Sequence, residues 1–468
     1  MPDWTAAQRS KLAELLATVA DRNSFWRERF AAESFDPEAV RTWADFRRLP
    51  LLSKADLVAD TTRHPPYGSN LTFDRSDYIR LHQTSGTTGQ PQPWLDTADS
   101  WAWFCDCWAA IFERAGVGRG DVAAFPFSFG PFIGFWAAHD GAAAAGIRTL
   151  TLGGLSTEQR LREIVRHDAT VVCCTPTYGL RMAEVAAAAG LDLADSAVHT
   201  LVVAGEPGGQ IPAVRERLET AFGAVVLDHW GMSDVGSLGV EPRDDRGHLV
   251  LLGDACLPEV IDPATGDDVG LGETGELVIT NLGRTGMPVI RYRTGDLVTL
   301  AEPDPSTGWM RLAGGIRGRA DDMLVIRGNN VFPSSVEAII REQDHVAEFR
   351  LRVQTRRSMP HLRIEIEPQP SLAAAAVADL LGTVETACID RLHFRAEVAA
   401  VQPGSLPRYE LKSKRLVRED LGWAGESGRG RGAARSRATI RRCLASSINN
   451  TAAAAAIDSD IAAEVSSP

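Results

Sequence analysis

The chain opens with a stretch in which apolar residues recur at helical intervals. Leu12, Leu15, Leu16 and Val19 fall on one face of a helix, and residues 5–8 have the spacing of a capping box. The sequence therefore predicts an amphipathic helix that packs its apolar face against a core.

A second helix, predicted over residues 97–114, carries four large aromatic side chains. Trp101, Trp103, Phe104 and Trp108 are spaced so that they face inward together. Aromatic residues at this spacing pack in a core more often than they bind a ligand, so we expect a structural role.

Short apolar runs alternate with helical segments in the middle of the chain. The runs at 171–175, 200–204 and 224–227 have the length of buried parallel strands, and helices are predicted between them over 178–189 and 211–222. This β-α-β-α-β order predicts a doubly wound α/β sheet, with ligands at the carboxyl ends of its strands.

The pattern changes again toward the C-terminus. Residues 249–316 lose the helical period and contain strand-like pieces separated by turns, which predicts a β-rich subdomain. After residue 320, a helix capped by residues 334–337 is followed by two alternating strands, a helix and another strand. That order predicts a separate α+β domain.

We therefore predict an α/β protein in three parts. Residues 1–319 form a large N-terminal domain of doubly wound sheets plus the β-rich subdomain, and residues 320–423 form a small, mobile C-terminal α+β domain. Residues 424–468 are rich in Gly, Arg, Ala and Ser and form a disordered tail.

Composition narrows the class of protein. The 468 residues are 44% hydrophobic and 24% charged, with a formal net charge of -12, which argues against an extended nucleic-acid surface. The sequence shows neither a signal peptide nor an apolar run long enough to span a membrane, so we expect a cytoplasmic protein.

The seven cysteines are spaced wrongly for a zinc site and are expected to be reduced thiols. Whether the protein forms a homodimer is left open.

Six small polar residues suggest a phosphate-binding loop. They are Thr84, Ser85, Gly86, Thr87, Thr88 and Gly89. Their hydroxyls and backbone amides can all face one polyphosphate, although no Lys follows the second glycine as in the GxxxxGK[ST] loop. The alternative is a solvated turn.

A dense aromatic segment follows at residues 125–136. Prolines and glycines break any regular period there, while the rings of Phe127, Phe129, Phe132, Phe135 and Trp136 stay close in sequence. Such a segment suits the wall of an apolar pocket, and the alternative is a buried hydrophobic loop.

Further motifs occur in a fixed order downstream. They are AGEP at 204–207, DHWGMSD at 228–234, RYRTGDL at 291–297, GRADDML at 318–324, RGNNVFP at 327–333 and PRYELK at 407–412. With the glycine-rich loop, this ordered set resembles the adenylate-forming superfamily. Residues 327–333 and the segments at 25–30 and 49–57 resemble its phenylacetate-CoA ligase branch.

The resemblance implies an AMP-forming acid–thiol ligase. Such an enzyme uses ATP and Mg²⁺ to convert a carboxylic acid, here aromatic or arylacetic, to an acyl-adenylate with release of pyrophosphate, and then transfers the acyl group to CoA. AMP is needed as a leaving group, because a nucleophile that attacked the free carboxylate would have to expel oxide. Transfer to an amine, a carrier-protein thiol or another nucleophile is an alternative, and a nucleotide-binding scaffold without catalysis is a third.

The resemblance also implies roles for individual residues, with ATP and the acid in the large domain and the catalytic lysine in the small one. Ser85, Gly86, Thr87, Thr88 and Gly89 match the cradle of the β- and γ-phosphates, and the aromatic segment at 125–136 lies beside the acid. The segments expected to flank adenine consist of Gly205, Glu206 and Pro207, and of His229, Trp230 and Gly231, with Ser233 also among the nucleotide-binding residues.

The remaining matched residues carry charge. Asp296 matches the acid that binds both ribose hydroxyls, and Arg319 matches the residue that approaches ribose or phosphate. Lys412 matches the lysine that bridges the carboxylate and the α-phosphate, and Asp321 aligns with the hinge. Asp234 matches the Mg²⁺-associated residue.

Two positions depart from the family pattern. Asp234 stands where Glu is usual, so its shorter arm must sit closer to Mg²⁺ or act through water. Gln90 stands where related enzymes commonly carry Lys, which removes one positive charge near the phosphates.

Overall fold

The computed structural model describes residues 4–84, 91–326, 329–356, 359–409 and 413–419. Contacts divide the chain into two compact units. The described residues of the first unit fall within 1–260, 269–317 and 408–413, and those of the second within 261–268, 318–407 and 414–468.

Helices come first in the chain, helices and strands alternate between residues 98 and 232, and strands dominate after that. The helices are α1 Ala6–Arg22, α2 Ser24–Ala32, α3 Trp43–Arg47, α4 Lys54–Arg63, α5 Ala98–Arg114, α6 Trp136–Ala144, α7 Thr157–Arg166, α8 Pro176–Ala189, α9 Pro212–Phe222, α10 Pro333–Arg341 and α11 Ala374–Leu392. The strands of the first half are β1 Tyr78–Gln83, β2 Pro93–Thr97, β3 Val122–Phe125, β4 Arg148–Thr151, β5 Val171–Cys174, β6 Thr200–Ala204, β7 Val225–Met232, β8 Gly236–Val240 and β9 His248–Leu251. Those that follow are β10 Cys256–Ile261, β11 Thr274–Asn281, β12 Tyr292–Ala301, β13 Arg311–Arg319, β14 Leu324–Ile326, β15 Asn329–Val331, β16 Val346–Arg356, β17 Met359–Pro368, β18 Glu397–Ala400 and β19 Leu416–Glu419.

The predicted capping box opens helix α1. Thr5 accepts a hydrogen bond from the backbone of Gln8, and the Gln8 side chain accepts one from the backbone of Thr5, which satisfies two helix-end donors. The four apolar residues predicted for its inner face are all buried. The four aromatic residues of α5 also lie in or against the main core, as expected.

An 11-stranded sheet forms the centre of the first unit. Its order is β10-β11-β12-β13-β9-β8-β7-β6-β5-β3-β4, and the five strands β7, β6, β5, β3 and β4 run parallel to one another. The predicted doubly wound sheet is therefore confirmed. The β-rich region is not a sheet of its own, because β8 pairs antiparallel with β7 and continues the same sheet into β9.

Strand β7 is longer than the sequence predicted. The expected strand at 224–227 placed His229, Trp230 and Gly231 beyond its carboxyl end, whereas β7 continues through Met232. The reason is that β8 pairs with these residues and extends the ladder. Side chains in this motif consequently alternate between the two faces of the sheet.

The second unit has its own core. A four-stranded sheet of order β18-β17-β16-β19 packs its apolar side chains with those of α10 and α11. The cap predicted at 334–337 was placed too late: the α10 N-cap is Phe332, and Pro333 fills the first helical position. Proline suits that position because its missing N–H has no helical acceptor to meet there.

The described cysteines are free thiols, and Cys105 alone among those six is not fully buried. No helix within the described ranges combines the length and apolarity needed to cross a membrane.

Candidate functional site

The segment at 205–207 follows strand β6 directly, at the edge of the sheet where ligands are expected. Gly205 has a φ of 93°, which favours glycine in this turn. The Glu206 carboxylate is already engaged, because it accepts hydrogen bonds from the Thr177 backbone at 2.9 Å and from the Ser413 backbone and hydroxyl at 2.7 and 2.8 Å. Within this segment, Gly205 and Pro207 are the exposed residues.

Trp230 and Asp296 come together in the interior of the first unit. Trp230 Nε1 donates a hydrogen bond to Asp296 Oδ2 at 2.8 Å, and both residues are buried. The Asp296 backbone N–H donates to Thr294 Oγ1 at 3.0 Å, which fixes the backbone from which the carboxylate extends. Two residues predicted separately for the nucleotide therefore meet directly, and no sequence signal indicated that bond.

The turn that carries Ser233 and Asp234 is held by side chains from the end of strand β11 and the loop after it. Arg284 Nη1 donates to the carbonyl oxygens of Ser233 at 2.7 Å and Asp234 at 3.3 Å, and Asn281 donates to that of Val235 at 2.6 Å. Neither Asn281 nor Arg284 was predicted from the sequence. Three consecutive carbonyls are thus held in place, which fixes the backbone from which the Asp234 side chain extends.

Arg284 is itself locked in position. Its guanidinium makes two hydrogen bonds to the Asp96 carboxylate at 2.7 and 2.9 Å, and it lies over the rings of Trp94 and Phe104. Arg284 and Asp96 are both fully buried. Because neither buried charge can be solvated by water, each depends on the other as its partner. The pair is therefore a rigid support for the 233–235 turn.

Asp234 was predicted to associate with Mg²⁺. Burial raises the pKa of its carboxyl, and the charges of Lys54 and Arg284 together with a hydrogen bond from Tyr292 oppose that shift. Its Oδ1 is enclosed and has no hydrogen-bond partner in the described part of the chain. No group of three or more His, Cys, Asp or Glu side chains among the described residues could form a metal cage. A lone carboxylate completed by substrate phosphates is a ligand set that Mg²⁺ accepts, so Asp234 fits the role.

Four of the five predicted acid-pocket residues form one aromatic group. Phe127 lies 5.0 Å from Phe135 and 5.3 Å from Phe129 between ring centroids, and Phe129 lies 4.4 Å from Trp136. Phe132 is not among these contacts and is 44% exposed. We call Phe127, Phe129, Phe135 and Trp136, together with Trp108, the aromatic cluster.

Trp108 and His229 extend this group in a way that the sequence did not predict. Trp108 lies 6.0 Å from Phe135, and the His229 ring lies 4.4 Å from Trp108. His229 is predicted to flank adenine, and its side chain packs against Trp108 of the aromatic cluster. The cause is the extension of β7, which directs His229 and Trp230 to opposite faces.

Thr84 closes the base of the predicted phosphate loop. Its backbone N–H donates to the Gln92 carbonyl at 3.0 Å, and its hydroxyl accepts from the Gln92 backbone at 3.0 Å. Thr84 thus links β1 to β2 at the two ends of the loop. Ser85, Gly86, Thr87, Thr88 and Gly89, with Gln90, lie outside the described residues, as does Lys412.

In the second unit, Arg319 and Asp321 form a two-point ion pair. Arg319 Nε and Nη2 donate to the two Asp321 carboxylate oxygens at 2.9 and 3.1 Å. The residue predicted to approach the nucleotide and the residue predicted as the hinge are therefore coupled to each other. The division between the two units falls between Arg317 and Gly318.

Comparisons with known proteins place the chain in a family. Residues 14–285 match the model of the AMP-binding enzyme family, and residues 328–419 match the AMP-binding enzyme C-terminal domain. The phenylacetate-coenzyme A ligase of Aromatoleum evansii is 32% identical over 84% of this chain and 89% of its own length. That of Thermus thermophilus is 29% identical over 88% of this chain and 95% of its own.

A solved structure gives the same result. The crystal structure of 2-hydroxyisobutyryl-CoA ligase in complex with 2-HIB-AMP superposes with a TM-score of 0.83 at 27% identity, covering 88% of this chain and 89% of that one. The fold is that of an adenylate-forming ligase. The chain belongs to the AMP-binding enzyme family, in the branch of the phenylacetate-coenzyme A ligases. Its activity class is that of the AMP-forming acid–thiol ligases.

Proposed function

We propose that this enzyme activates an aromatic or arylacetic acid with ATP, and passes the acyl group to CoA. The observation that carries the proposal lies in strand β7. Its neighbouring residues His229 and Trp230 contact the aromatic cluster and Asp296 respectively. One strand therefore connects the apolar rings expected to hold an acid with the carboxylate expected to hold ribose.

The chemistry follows from this arrangement. The acid's carboxylate attacks the α-phosphate of ATP, pyrophosphate leaves, and the acyl group is joined to AMP. The aromatic cluster holds the ring of the acid, Asp296 accepts from the ribose hydroxyls, and Lys412 neutralises charge between the carboxylate and the α-phosphate. Mg²⁺, when bound at Asp234, offsets the negative charge of the phosphates. The thiol of CoA then displaces AMP.

The acceptor and the acid can be tested together. The enzyme is incubated with ATP, Mg²⁺ and a panel of aromatic, arylacetic and short aliphatic acids, with and without CoA, and AMP and acyl products are measured by mass spectrometry. We expect AMP formation that depends on an aromatic acid, and an acyl-CoA product when CoA is present. AMP formation with acyl transfer only to an amine or a carrier protein would identify the alternative acceptor. ATP binding without AMP from any acid would refute catalysis.

We also propose that the enzyme works in the cytoplasm, where its free thiols remain reduced. Homodimer formation remains a prediction, and light scattering coupled to size-exclusion chromatography would test it.

A further inference from the structure

A histidine lies among the aromatic rings expected to hold the acid. His229 is 5% exposed, and its ring packs against Trp108, which in turn contacts Phe135. A polar side chain in such surroundings needs a hydrogen-bond partner at each ring nitrogen, because an unmet polar atom away from water is unfavourable. The partners of its two nitrogens therefore decide what this histidine can recognise.

The first nitrogen is occupied. His229 Nδ1 lies 2.6 Å from the carbonyl oxygen of Gly239. A carbonyl only accepts, so Nδ1 carries the proton and donates it. Burial lowers the pKa of His229 to about 4, which keeps the ring neutral near pH 7. The proton on Nδ1 then leaves Nε2 with a lone pair, so Nε2 acts only as an acceptor.

The second nitrogen has no donor in the structure as described. No hydrogen bond to His229 Nε2 occurs among the described residues. Trp108 packs its ring against His229, and the Trp108 Nε1 makes no hydrogen bond within the described residues. The tautomer is also fixed. If the proton moved to Nε2, the lone pair of Nδ1 would face a lone pair of the Gly239 carbonyl oxygen.

We propose that His229 makes the enzyme selective for aromatic acids whose ring carries a hydrogen-bond donor, a hydroxyl or an amino group, which donates to Nε2. This inference rests on the proposed function, since it assigns a partner to a histidine beside the predicted acid pocket. The aromatic cluster supplies contact area that any aromatic acid can use. The lone pair of Nε2 distinguishes acids whose ring carries a donor from acids whose ring does not, because it accepts a hydrogen bond in one direction only.

The selectivity has a physical basis in the buried acceptor. An acid with an unsubstituted ring would cover Nε2 without replacing the hydrogen bond that water makes to it. A site built to accept from a substrate hydroxyl therefore discriminates against the analogue that lacks it. A methoxy group in the same place would be rejected as well, because it brings a second lone pair and no proton.

The test compares binding of closely matched acids. Dissociation constants are measured by isothermal titration calorimetry for phenylacetate, its three ring-hydroxy isomers, its three ring-amino isomers and the corresponding methoxy compounds. We expect at least one hydroxy or amino isomer to bind about tenfold or more tightly than phenylacetate. Its methoxy counterpart should bind no better than phenylacetate.

The decisive variant is His229→Leu, which keeps the bulk and removes the acceptor. It should bind phenylacetate as well as the wild type or better, and the preference for the donor-bearing isomer should fall to about onefold. His167→Leu is the matched control, because that ring is exposed and pairs with Glu163. It should leave every dissociation constant unchanged.

Two results would overturn the inference: phenylacetate binding as tightly as every hydroxy and amino isomer, or an unchanged preference in His229→Leu. Failure of the proposed function looks different. In that case acids bind but no AMP is formed, and the binding ratios still decide the role of His229. If no aromatic acid binds at all, both proposals fall.

Discussion

Trp230 Nε1 donates a hydrogen bond to Asp296 Oδ2 across 2.8 Å inside the first unit. A carboxylate that is to accept from two ribose hydroxyls must be held still, and the indole N–H does this by occupying one of its oxygens. Trp230 therefore positions the Asp296 carboxylate.

We predict that Trp230→Phe raises the KM for ATP about tenfold, because it keeps the ring but deletes one hydrogen bond to a charged group. The KM for the acid should change much less. Steady-state kinetics with each substrate varied in turn provides the measurement. Trp309→Phe is the control, since that half-buried indole packs on Arg114. Equal increases in both KM values would argue against a specific role at the nucleotide.

Much of the fold could be predicted because local patterns agree with it. The run at 200–204 is apolar apart from Thr200 and forms β6, which is buried at every position. Gly223 ends α9 in the left-handed conformation, as the predicted helix end at residue 222 required. Strand β7 was underestimated because its extension depends on pairing with β8, and no local pattern records a partner strand.

The site was less predictable, for the same reason. Motifs indicated Asp234 and Asp296, but Arg284 lies 50 residues from Asp234 in sequence and has no motif of its own. Its importance arises only when the chain brings it to the carbonyls of the 233–235 turn. Likewise, a histidine within a nucleotide motif gave no sign that its ring would lie against Trp108.

Arg284 and Asp96 should show strong energetic coupling. We predict that Arg284→Met destabilises the protein by about 3–5 kcal/mol, because it leaves the Asp96 carboxylate buried without a counter-charge. The double variant Arg284→Met with Asp96→Leu should cost clearly less than the sum of the two single variants. Urea denaturation of the four proteins measures the coupling. The exposed pair formed by Arg162 and Glu158 serves as a control and should contribute about 1 kcal/mol or less. If the losses of unfolding free energy in the two single variants simply add in the double variant, Arg284 and Asp96 are not energetically coupled.

Stability should also depend on the protonation of Asp228. Burial and the nearby Glu241 carboxylate raise the pKa of Asp228 from 3.8 to about 7, with Arg215 opposing the shift. Between these two pH values the folded state binds more protons than the unfolded state, so this group lowers stability as pH rises. Asp228→Asn removes that dependence.

We therefore predict that Asp228→Asn gains stability relative to the wild type as the pH rises from 4 to 8. Urea midpoints across this range, fitted for both proteins, would show the growing difference. The variant Asp106→Asn changes an exposed carboxylate on α5 and should follow the wild type throughout. A difference between Asp228→Asn and the wild type that is constant with pH would exclude titration of Asp228 as the cause.

The final prediction separates the two half-reactions. If Lys412 neutralises charge at the α-phosphate, Lys412→Ala should nearly eliminate acid-dependent pyrophosphate exchange, because attack on ATP builds charge there. Thioester formation from supplied acyl-adenylate should be largely spared, since pyrophosphate has already left and the lysine is no longer needed. Lys414→Ala removes a neighbouring positive charge and should leave both half-reactions near the wild-type rate. Equal loss of both half-reactions in Lys412→Ala would mean that this lysine supports the fold or CoA binding, and that the cation acting at the α-phosphate is another residue.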